Sequence, residues 1–277
     1  MNLEDIKKLY DFTGKTVVIT GGTGVLGGEI ACALVGCGAN VVVLDRNTDI
    51  PEIYRQPMDA GPGKYLVVYA DVLDRQTLED ALGKIESDFS SVDMLINAAG
   101  GNHPKATTNP DLSFFDLPPD AVQWVFNLNF IGTLLPSQVF GKTMIKQGSG
   151  VILNLSSMSA YQPLTRIAAY SAAKAAVSNL TQWLAVHMAQ EYSPDIRVNA
   201  IAPGFFLTEQ NRFLLTDKDS GDLTPRGQSI IDQTPQGRFG DPEDLLGATL
   251  WLLSPASKFV TGIVLPIDGG FSAFSGV

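Results

Sequence analysis

The sequence predicts an α/β fold in which one doubly wound parallel sheet of the Rossmann type forms a single domain. Short runs rich in β-branched residues alternate along the chain with longer stretches of helical periodicity. The short runs are apolar throughout, as expected for parallel strands that helices cover on both faces. No linker, repeat or shift in composition divides the 277 residues. We therefore expect one domain over residues 1–277, built from right-handed strand–helix–strand crossovers.

These patterns predict seven strands and five helices. The strands are expected at Thr16–Thr20, Asn40–Asp45, Tyr65–Ala70, Val92–Asn97, Val151–Ser156, Ile196–Ile201 and Gly262–Pro266. The helices are expected at 25–37, 74–88, 119–147, 168–191 and 241–253. Two long segments, at about 98–118 and 203–238, follow predicted strand ends, which is the edge where open α/β sheets bind ligands. Both are predicted to be functional loops, and the second to be the substrate loop.

The composition argues against several classes of function. Apolar residues make up 45% of the chain and charged residues 17%, which supports a large core and not a disordered protein. The formal charge of −10 argues against nucleic acids and anionic membrane surfaces as partners, because both are bound by clustered lysines and arginines. An anionic small molecule would need a few locally placed cations.

Cysteine and histidine are too scarce for a disulfide framework or a zinc site. Cys32 and Cys37 lie five residues apart in one apolar stretch, which is typical of thiols packed on a helix. His103 and His187 lack the spacing of a metal pair. No apolar run reaches membrane-span length, and the first residues lack a signal-peptide core. We expect no metal and a reducing, cytoplasmic environment.

A glycine-rich turn follows the first predicted strand. The run TGGTGVLG, residues 20–27, precedes a predicted helix. Its glycines let the backbone approach a pyrophosphate, and the helix N-terminus supplies free N–H groups and a positive dipole end. The turn therefore predicts a dinucleotide site, whose residues here are Gly21, Thr23, Gly24, Val25, Leu26 and Gly27.

The second predicted strand ends in an acidic residue. Asp45 lies about 20 residues beyond the glycines, where a carboxylate can accept hydrogen bonds from the adenosine ribose 2′-hydroxyl. Because its charge would repel a 2′-phosphate, NAD is favoured over NADP. Arg46 keeps NADP open as the cofactor, and Asp45 as an ordinary strand-end turn residue is the alternative interpretation.

Tyr170 and Lys174 are candidates for an acid–base pair in the helix predicted over 168–191. Residues four apart share a helix face, so the phenol and the ammonium can lie side by side. The adjacent cation is expected to lower the pKa of Tyr170, which would make the phenol a workable proton donor or acceptor. Ser157 follows an apolar strand, where its hydroxyl can hold a substrate oxygen.

Two other strand ends are predicted to reach the same site. Small residues after the fourth strand would let a cofactor lie against the backbone, and a Pro-Gly pair opens the long loop after the sixth. The cofactor-binding residues predicted there are Asn97, Ala98, Gly100, Pro203 and Gly204.

In these motifs the chain resembles the short-chain dehydrogenase/reductase family over essentially its whole length. Further matches are Asp71-Val72, Asn129 in FNLNF, and Thr208. The resemblance implies an NAD(P)-dependent oxidoreductase acting on CH–OH donors. The catalytic residues that it implies are Asn129, Ser157, Tyr170 and Lys174. The spacing GxxGxxG departs from the single-domain branch, because Val25 stands at its middle glycine.

The resemblance also implies individual roles. Asn129 would lie at a helix kink and hold a water in a proton relay through Lys174, which would also bind the nicotinamide ribose. The adenine edge would be contacted by Asp71 with its neighbour Val72, and the carboxamide by Thr208. Tyr170 is counted among the cofactor contacts as well.

A narrower resemblance concerns the substrate. The runs GGNHP, PSQVFGK, SSMSA, APGFF, QNR and GRFG, with the tail IDGGFSAFSGV, are similar to the D-mannonate oxidoreductase (fructuronate reductase) type of this family. This implies interconversion of a keto and a hydroxy sugar acid. By family analogy we also expect a homotetramer, with the apolar C-terminal strand and tail, 260–277, in a subunit contact.

A sugar acid needs a cation for its carboxylate and hydrogen-bonding groups for its hydroxyls. Such residues lie in the loops around the predicted site, and the expected substrate contacts are Asn102, His103, Ser157, Gln162, Arg166, Gln210 and Arg212. Other carbonyl reductases of the same mechanism, of gluconate or 3-oxoacyl type, remain alternatives. A non-catalytic NAD-sensing module is a further alternative, against which the complete serine, tyrosine and lysine set counts.

Overall fold

A sheet of seven parallel strands forms the centre of the molecule, for which the computed structural model describes residues 2–89, 91–207, 212, 215–217 and 220–276. The strands are β1 (Thr16–Thr20), β2 (Asn40–Asp45), β3 (Lys64–Tyr69), β4 (Met94–Asn97), β5 (Gly150–Leu155), β6 (Ile196–Pro203) and β7 (Val264–Ile267). They are arranged in the order β3-β2-β1-β4-β5-β6-β7, and every neighbouring pair runs parallel. The predicted doubly wound parallel sheet is confirmed.

Helices cover both faces of this sheet. Within the described ranges they are α1 (Leu3–Leu9), α2 (Val25–Gly36), α3 (Glu52–Ala60), α4 (Arg75–Phe89), α5 (Pro119–Phe126), α6 (Gly132–Gln147), α7 (Ala168–Glu191), α8 (Pro225–Asp232) and α9 (Leu246–Leu253). No helix in the described part of the chain is both long and apolar enough to span a lipid bilayer.

Successive strand residues point to opposite faces, which divides the core into two layers. Val17 of β1 belongs to one buried cluster with Leu34 of α2. Its neighbour Val18 belongs to the other, with Leu78 of α4 and Phe140 of α6. Burying a side chain of this size contributes about 1.5–3 kcal/mol. This two-sided burial explains why the strands read as continuous apolar runs.

Several element boundaries differ from the prediction. β4 begins at Met94 and not at residue 92, β6 extends to Pro203, and β3, β5 and β7 are each displaced by one or two residues. The hydrophobic pattern marks the buried stretch of a strand, whereas its ends depend on hydrogen bonds to neighbouring strands. β1, β2 and α7 have the predicted bounds.

The predicted helix over 119–147 is interrupted. A π-helical turn, Asn127–Ile131, separates α5 from α6. The predicted helix over 241–253 also begins differently, because Pro242–Leu245 forms a 3₁₀ turn closed by a capping box between Asp241 and Asp244. Side-chain hydrogen bonds to the backbone produce both departures, and the apolar periodicity does not report them.

Three helices were not predicted: α1, α3 and α8. α3 contains Pro57 and buries Tyr54 and Met58, which lie four residues apart. α8 lies inside the segment 203–238 that was predicted to be a loop. These short helices carry weak periodic patterns, and tertiary packing stabilises them.

The side of the sheet on which new strands are added changes between β1 and β4. The connections after β1 add β2 and β3 on one side, and those after β4 add β5 to β7 on the other. The loops after β1 and β4 therefore diverge and leave a crevice at the carboxyl edge. Gly21 has a φ of 68°, and a Cβ there would lie 2.8 Å from the backbone of Ala99. Glycine is required because the two loops touch at this point.

A buried arginine connects the far edge of the sheet to its helix. Arg197 of β6 is 8% exposed. Its guanidinium donates hydrogen bonds to the carbonyl oxygens of Leu252 (2.9 Å), Leu253 (3.5 Å), Ser254 (3.2 Å) and Val260 (3.3 Å). The last carbonyls of a helix have no intrahelical partner, so Arg197 caps α9 from the sheet.

Candidate active site

A cavity of about 510 Å³ lies over the carboxyl ends of β1 to β6. Most residues predicted to bind a cofactor or to catalyse line it. They are Gly21, Thr23, Gly24, Val25, Leu26, Gly27, Asp45, Arg46, Asp71, Val72, Ala98, Gly100, Ser157, Tyr170, Lys174, Pro203 and Gly204. The parallel sheet thus brings residues from six strand ends to one place.

The glycine turn forms one wall of this cavity. Gly24 is the N-cap of α2, so the helix begins at the cavity wall. A Cβ at Gly27 would lie 2.4 Å from the carbonyl oxygen of Gly21. The helix can therefore lie against the turn only if residue 27 has no side chain. This geometry directs the positive end of the α2 dipole toward an anion in the cavity.

Two carboxylates line the part of the cavity in which the adenosine of a dinucleotide would bind. Asp45 accepts hydrogen bonds from the Thr23 hydroxyl (2.6 Å) and the Thr23 N–H (3.3 Å). The turn-residue interpretation of Asp45 is therefore compatible with ribose binding, because each carboxylate oxygen can accept more than one hydrogen bond. Asp71 follows β3 by two residues and accepts a hydrogen bond from the N–H of Leu73 (2.9 Å).

Asn97 does not line the cavity, in contrast to the prediction that it contacts the cofactor. It is 1% exposed. Its amide donates to Ser137 Oγ (3.0 Å) and to Asn154 Oδ1 (2.8 Å). The polar side chain points into the sheet, where it connects β4 to β5 and α6. Asn97 therefore supports the loop of Ala98 to Gly100 from behind.

Ser157, Tyr170 and Lys174 lie together beyond β5. The Nζ atom of Lys174 is 5.6 Å from the centre of the Tyr170 ring and donates to the carbonyl oxygen of Leu155 at 2.7 Å. The Ser157 hydroxyl interacts with the Tyr170 phenol. Ser156 donates to the carbonyl oxygen of Lys174 at 3.1 Å, which holds α7 against the strand end.

The charge states of this group differ from the expectation. Burial raises the pKa of Tyr170, and the hydrogen bond with Ser157 only partly opposes the shift. Burial also lowers the pKa of Lys174 to about 8. The pKa of Tyr170 is therefore raised and not lowered as predicted, because burial disfavours the charged phenolate. Tyr170 is a protonated phenol at neutral pH, the form that donates a proton.

Asn129 lies behind the wall, in the π-helical turn that corresponds to the predicted helix kink. Its amide donates to the carbonyl oxygens of Gly101 (2.7 Å) and Val125 (2.8 Å). A Cβ on Gly100 would lie 2.7 Å from Asn129 Oδ1 and 3.2 Å from Lys174 Nζ. Asn129 and Lys174 therefore approach the loop after β4 so closely that residue 100 must be glycine.

The predicted substrate contacts in the loop after β4 do not line the cavity. Asn102 donates to the Thr107 hydroxyl at 2.9 Å. His103 accepts from the N–H of Lys105 at 3.1 Å, and its ring packs edge-on against Trp124 with centroids 5.1 Å apart. Local hydrogen bonds occupy both side chains, and His103 supports the wall through Trp124.

The remaining predicted substrate contacts are spread around the site. Gln162 donates to the carbonyl oxygen of Ser272 at 2.9 Å and so contacts the C-terminal segment. Arg166 lies four residues before Tyr170, with a left-handed φ of 74°. Arg212 is exposed. Thr208 and Gln210 lie outside the described residues.

An apolar wall of the cavity was not predicted. It consists of Trp124, Leu128, Phe205 and Phe206. Trp124 near the end of α5 and Leu128 in the π turn are four residues apart, a spacing that could have placed them on one face of a continuous helix. Such pairs usually pack into the core, so the sequence alone did not single them out.

The cavity fits a nicotinamide dinucleotide. Lys174 is 4% exposed, and among the described residues its ammonium has one hydrogen-bond acceptor and no carboxylate partner. An ammonium has three donors, so two remain for ribose hydroxyls. The glycine turn and the start of α2 suit a pyrophosphate, and Asp45 suits a ribose diol.

Comparisons with known proteins agree with this geometry. A family model described as enoyl-(acyl carrier protein) reductase matches residues 23–272. The uncharacterized oxidoreductase UxuB of Bacillus subtilis is 50% identical over 276 residues, covering 96% of this chain and 98% of that protein. The 2-dehydro-3-deoxy-D-gluconate 5-dehydrogenase of Dickeya dadantii is 33% identical over 269 residues, covering 97% of this chain and 99% of the relative.

A solved structure is similar over the same length. A candidate D-mannonate oxidoreductase from Haemophilus influenza, crystallised with bound NAD, has a TM-score of 0.89 and 46% sequence identity. The match covers 98% of this chain and 100% of that chain. The similarity therefore includes every element that lines the cavity.

Gly27→Ala is expected to weaken NADH binding by about tenfold or more, which corresponds to about 1.4 kcal/mol. The new methyl group would collide with the Gly21 carbonyl and displace α2 from the turn. Gly36→Ala is the matched control, because a Cβ there has no atom within 4 Å. NADH fluorescence titration measures both variants. Unchanged affinity in Gly27→Ala would contradict the assignment of the turn.

Proposed function

Because the chain belongs to the short-chain dehydrogenase/reductase family, whose members are NAD(P)-dependent oxidoreductases, we propose that it interconverts a keto and a hydroxy sugar acid of the D-fructuronate/D-mannonate type. The observation that carries the proposal is the grouping of Ser157, Tyr170 and Lys174 beside a cavity that begins at a glycine turn. A proton donor, an oxygen-holding hydroxyl and a cation are the groups that carbonyl reduction requires.

The residues divide the reaction as follows. Bound NAD(P)H would supply the hydride in reduction, and bound NAD(P)+ would accept it in oxidation. Tyr170, protonated at neutral pH, gives its proton to the substrate carbonyl oxygen in reduction. In oxidation it first releases that proton through the relay by way of Lys174, and the resulting phenolate takes the proton of the substrate hydroxyl. Ser157 holds the same oxygen beside the phenol. Lys174 binds the nicotinamide ribose and stabilises negative charge on the phenol during transfer.

Asn129 acts as a positioning residue in this scheme. Its amide holds Gly101 and Val125 together and so sets the wall on which the nicotinamide would lie. By family analogy Asn129 also holds a water in the proton relay through Lys174. Its backbone carbonyl accepts a hydrogen bond from the Thr133 hydroxyl at 2.8 Å.

The sugar-acid assignment rests on the relatives. The Haemophilus structure is described as a candidate D-mannonate oxidoreductase, and the Dickeya relative is named as a dehydrogenase of a gluconate derivative. A gluconate-type substrate is therefore the second candidate. The apolar wall of Trp124, Leu128 and Phe205 favours the third, an acyl-chain substrate, which the description of the family model also names. A non-catalytic NAD sensor would have no use for a protonated Tyr170.

We also propose a homotetramer in the cytoplasm. β7 is an edge strand, and Phe259 just before it is fully exposed, as expected where another subunit covers the sheet edge. Cys32 and Cys37 form no disulfide, which suits a reducing compartment.

The test of the reaction is a screen of keto and hydroxy sugar acids with NADH, NAD, NADPH and NADP, followed at the nicotinamide absorbance. D-fructuronate reduction and D-mannonate oxidation are expected to be the fastest pair. Tyr170→Phe should lower turnover by about 10²–10⁴-fold while NADH still binds, because it removes only the transferable proton. If a gluconate or an acyl substrate were turned over faster, that compound class would replace D-fructuronate and D-mannonate as the proposed substrate. Near-normal turnover in Tyr170→Phe would remove Tyr170 as the acid.

Asp45→Ala is expected to shift preference from NAD toward NADP by about tenfold or more in kcat/KM, because a nearby like charge costs a 2′-phosphate about 1–4 kcal/mol. Asp45→Asn separates charge from packing, since the amide oxygen can still accept from Thr23. Both variants should shift in the same direction. A ratio that stays constant in both would show that Asp45 does not select the cofactor.

Light scattering at micromolar concentration is expected to give the mass of four chains. Phe259→Asp, which places a charge on the exposed position beside β7, should lower that mass if the edge is an interface. Phe115→Asp is the control, because Phe115 is also highly exposed (91%) but lies in the loop after β4. A monomeric mass for the unaltered protein would refute the assembly.

A further inference from the structure

The C-terminal segment, defined here as residues 264–274, contacts three parts of the chain around the ends of β5 and β6. It consists of β7 and of the turn that follows, which includes a 3₁₀ helix at Phe271–Ala273. Its contacts are with the loop after Ser157, with the cavity wall after β6, and with the residues after α8. These three parts are far apart in sequence, so the C-terminal segment determines how they lie relative to one another.

Ser157 begins a loop that is closely hydrogen-bonded within itself. The serine is the N-cap of a 3₁₀ turn at Met158–Ala160. The N–H groups of Tyr161 and Gln162 close this turn by donating to the carbonyl oxygen of Met158 at 2.9 and 3.1 Å. A displacement at the far end of the loop would therefore be transmitted to the serine.

Both residues at the far end of this loop donate to the C-terminal segment. The Tyr161 hydroxyl donates to the carbonyl oxygen of Val264 in β7. The Gln162 amide donates to the carbonyl oxygen of Ser272 at 2.9 Å. Two side-chain hydrogen bonds thus attach the serine loop to the C-terminal segment.

One carboxylate sets the shape of the turn after β7. Asp268 accepts hydrogen bonds from the N–H groups of Gly270 and Ser272, both at 2.9 Å. Gly269 and Gly270 have left-handed φ values of 63° and 90°, which allow the chain to fold back onto the carboxylate. Asp268 thereby fixes Ser272, whose carbonyl oxygen accepts the amide of Gln162.

The same aspartate lies against the wall of the cavity. The N–H of Gly204 donates to the carbonyl oxygen of Ile267 at 2.8 Å, and a Cβ on Gly204 would lie 2.6 Å from the Cα atom of Asp268. Phe205, which lines the cavity, packs edge-on against Phe271 with ring centroids 5.2 Å apart. The residues on either side of the aspartate therefore support the wall.

The third contact is with the end of the predicted substrate loop. The N–H of Gln236 donates to the carbonyl oxygen of Gly269 at 3.1 Å. A Cβ on Gly270 would lie 3.1 Å from the ring of Pro235. The residues that follow α8 are therefore packed onto the same turn.

We propose that Gln162 and Asp268 are positioning residues, which act through the C-terminal segment to hold Ser157 in a fixed position relative to the wall at Phe205. Neither residue needs to touch the substrate. The inference rests on the proposed function, in which Ser157 holds the substrate oxygen. Because rate depends steeply on the placement of reacting groups, loosening this connection should slow the reaction. Dinucleotide binding should be spared, since the glycine turn and Asp45 follow β1 and β2.

The test uses paired substitutions in the complete chain. Gln162→Leu removes the amide donor at similar size, and Gln162→Lys restores a donor at similar length. Asp268→Ala removes both acceptors, whereas Asp268→Asn keeps a carbonyl oxygen. Gln56→Leu is the matched control, because Gln56 is an exposed residue of α3 that donates one hydrogen bond, to Glu52 at 3.2 Å, outside the cavity.

With D-fructuronate and NADH, kcat is expected to fall by about 3- to 10-fold in Gln162→Leu and by about 10- to 100-fold in Asp268→Ala. The affinity for NADH, measured by fluorescence titration, should change little. Gln162→Lys and Asp268→Asn should each recover part of the loss. In the double variant of Gln162→Leu and Asp268→Ala the two losses should not multiply, because both break the same connection.

Hydrogen–deuterium exchange supplies a reading that needs no substrate. In Gln162→Leu, peptides that cover residues 157–162 and 268–274 are expected to exchange faster than in the unaltered protein. A peptide from α4 should exchange at an unchanged rate, and Gln56→Leu should match the unaltered protein in all three peptides.

An unchanged kcat in both Gln162→Leu and Asp268→Ala would overturn the positioning role, and so would an unchanged exchange rate over residues 157–162. A loss of NADH affinity as large as the loss in kcat would show general damage to the fold and would also overturn it. If another substrate class replaced the sugar acids, the proposed function would fall. The exchange rates would still decide the connection, and the same variants would be assayed on the new substrate.

Discussion

The strand order is the constraint on which the rest of the structure depends, because strands are added on one side of the sheet after β1 and on the other side after β4. Right-handed crossovers carry the chain to one side after β1 and to the other after β4, so no connection covers the edge between them. The loops that border this gap meet at Gly21 and Ala99, where no Cβ can be accommodated. The cavity, the start of α2 and the helix that carries Tyr170 and Lys174, α7, are all arranged around that contact.

Desolvation controls the chemistry that this crevice supports. Lys174 is buried without a carboxylate, which lowers its pKa to about 8, and the same burial keeps Tyr170 protonated. The pair is therefore set with the proton on the phenol and with unused donors on the ammonium. The ribose hydroxyls of a dinucleotide could accept hydrogen bonds from these donors, while the positive end of the α2 dipole would face its phosphates.

Two arginines of this acidic protein have structural partners. Arg197 is buried against carbonyl oxygens that end α9, and Arg238 is paired with Asp244 at the surface. A protein of net charge −10 would repel an anionic substrate at long range, so the recognition of such a substrate would depend on short-range contacts with a few fixed cations.

The sequence alone determined the parallel sheet, because strands buried on both faces must be apolar throughout and strand ends must share one edge. That rule is why Asp45 and Ser157, which follow two different strands, were predicted to lie at one edge, and both line the cavity there. Tertiary structure decided what depends on contacts between distant segments: that Asn97 faces into the sheet, and that α3 and α8 are helical. It also decided the direction in which the pKa of Tyr170 is shifted, because the desolvation of a phenol depends on all the groups packed around it. The sequence spacing of four residues identifies only one of those groups, Lys174.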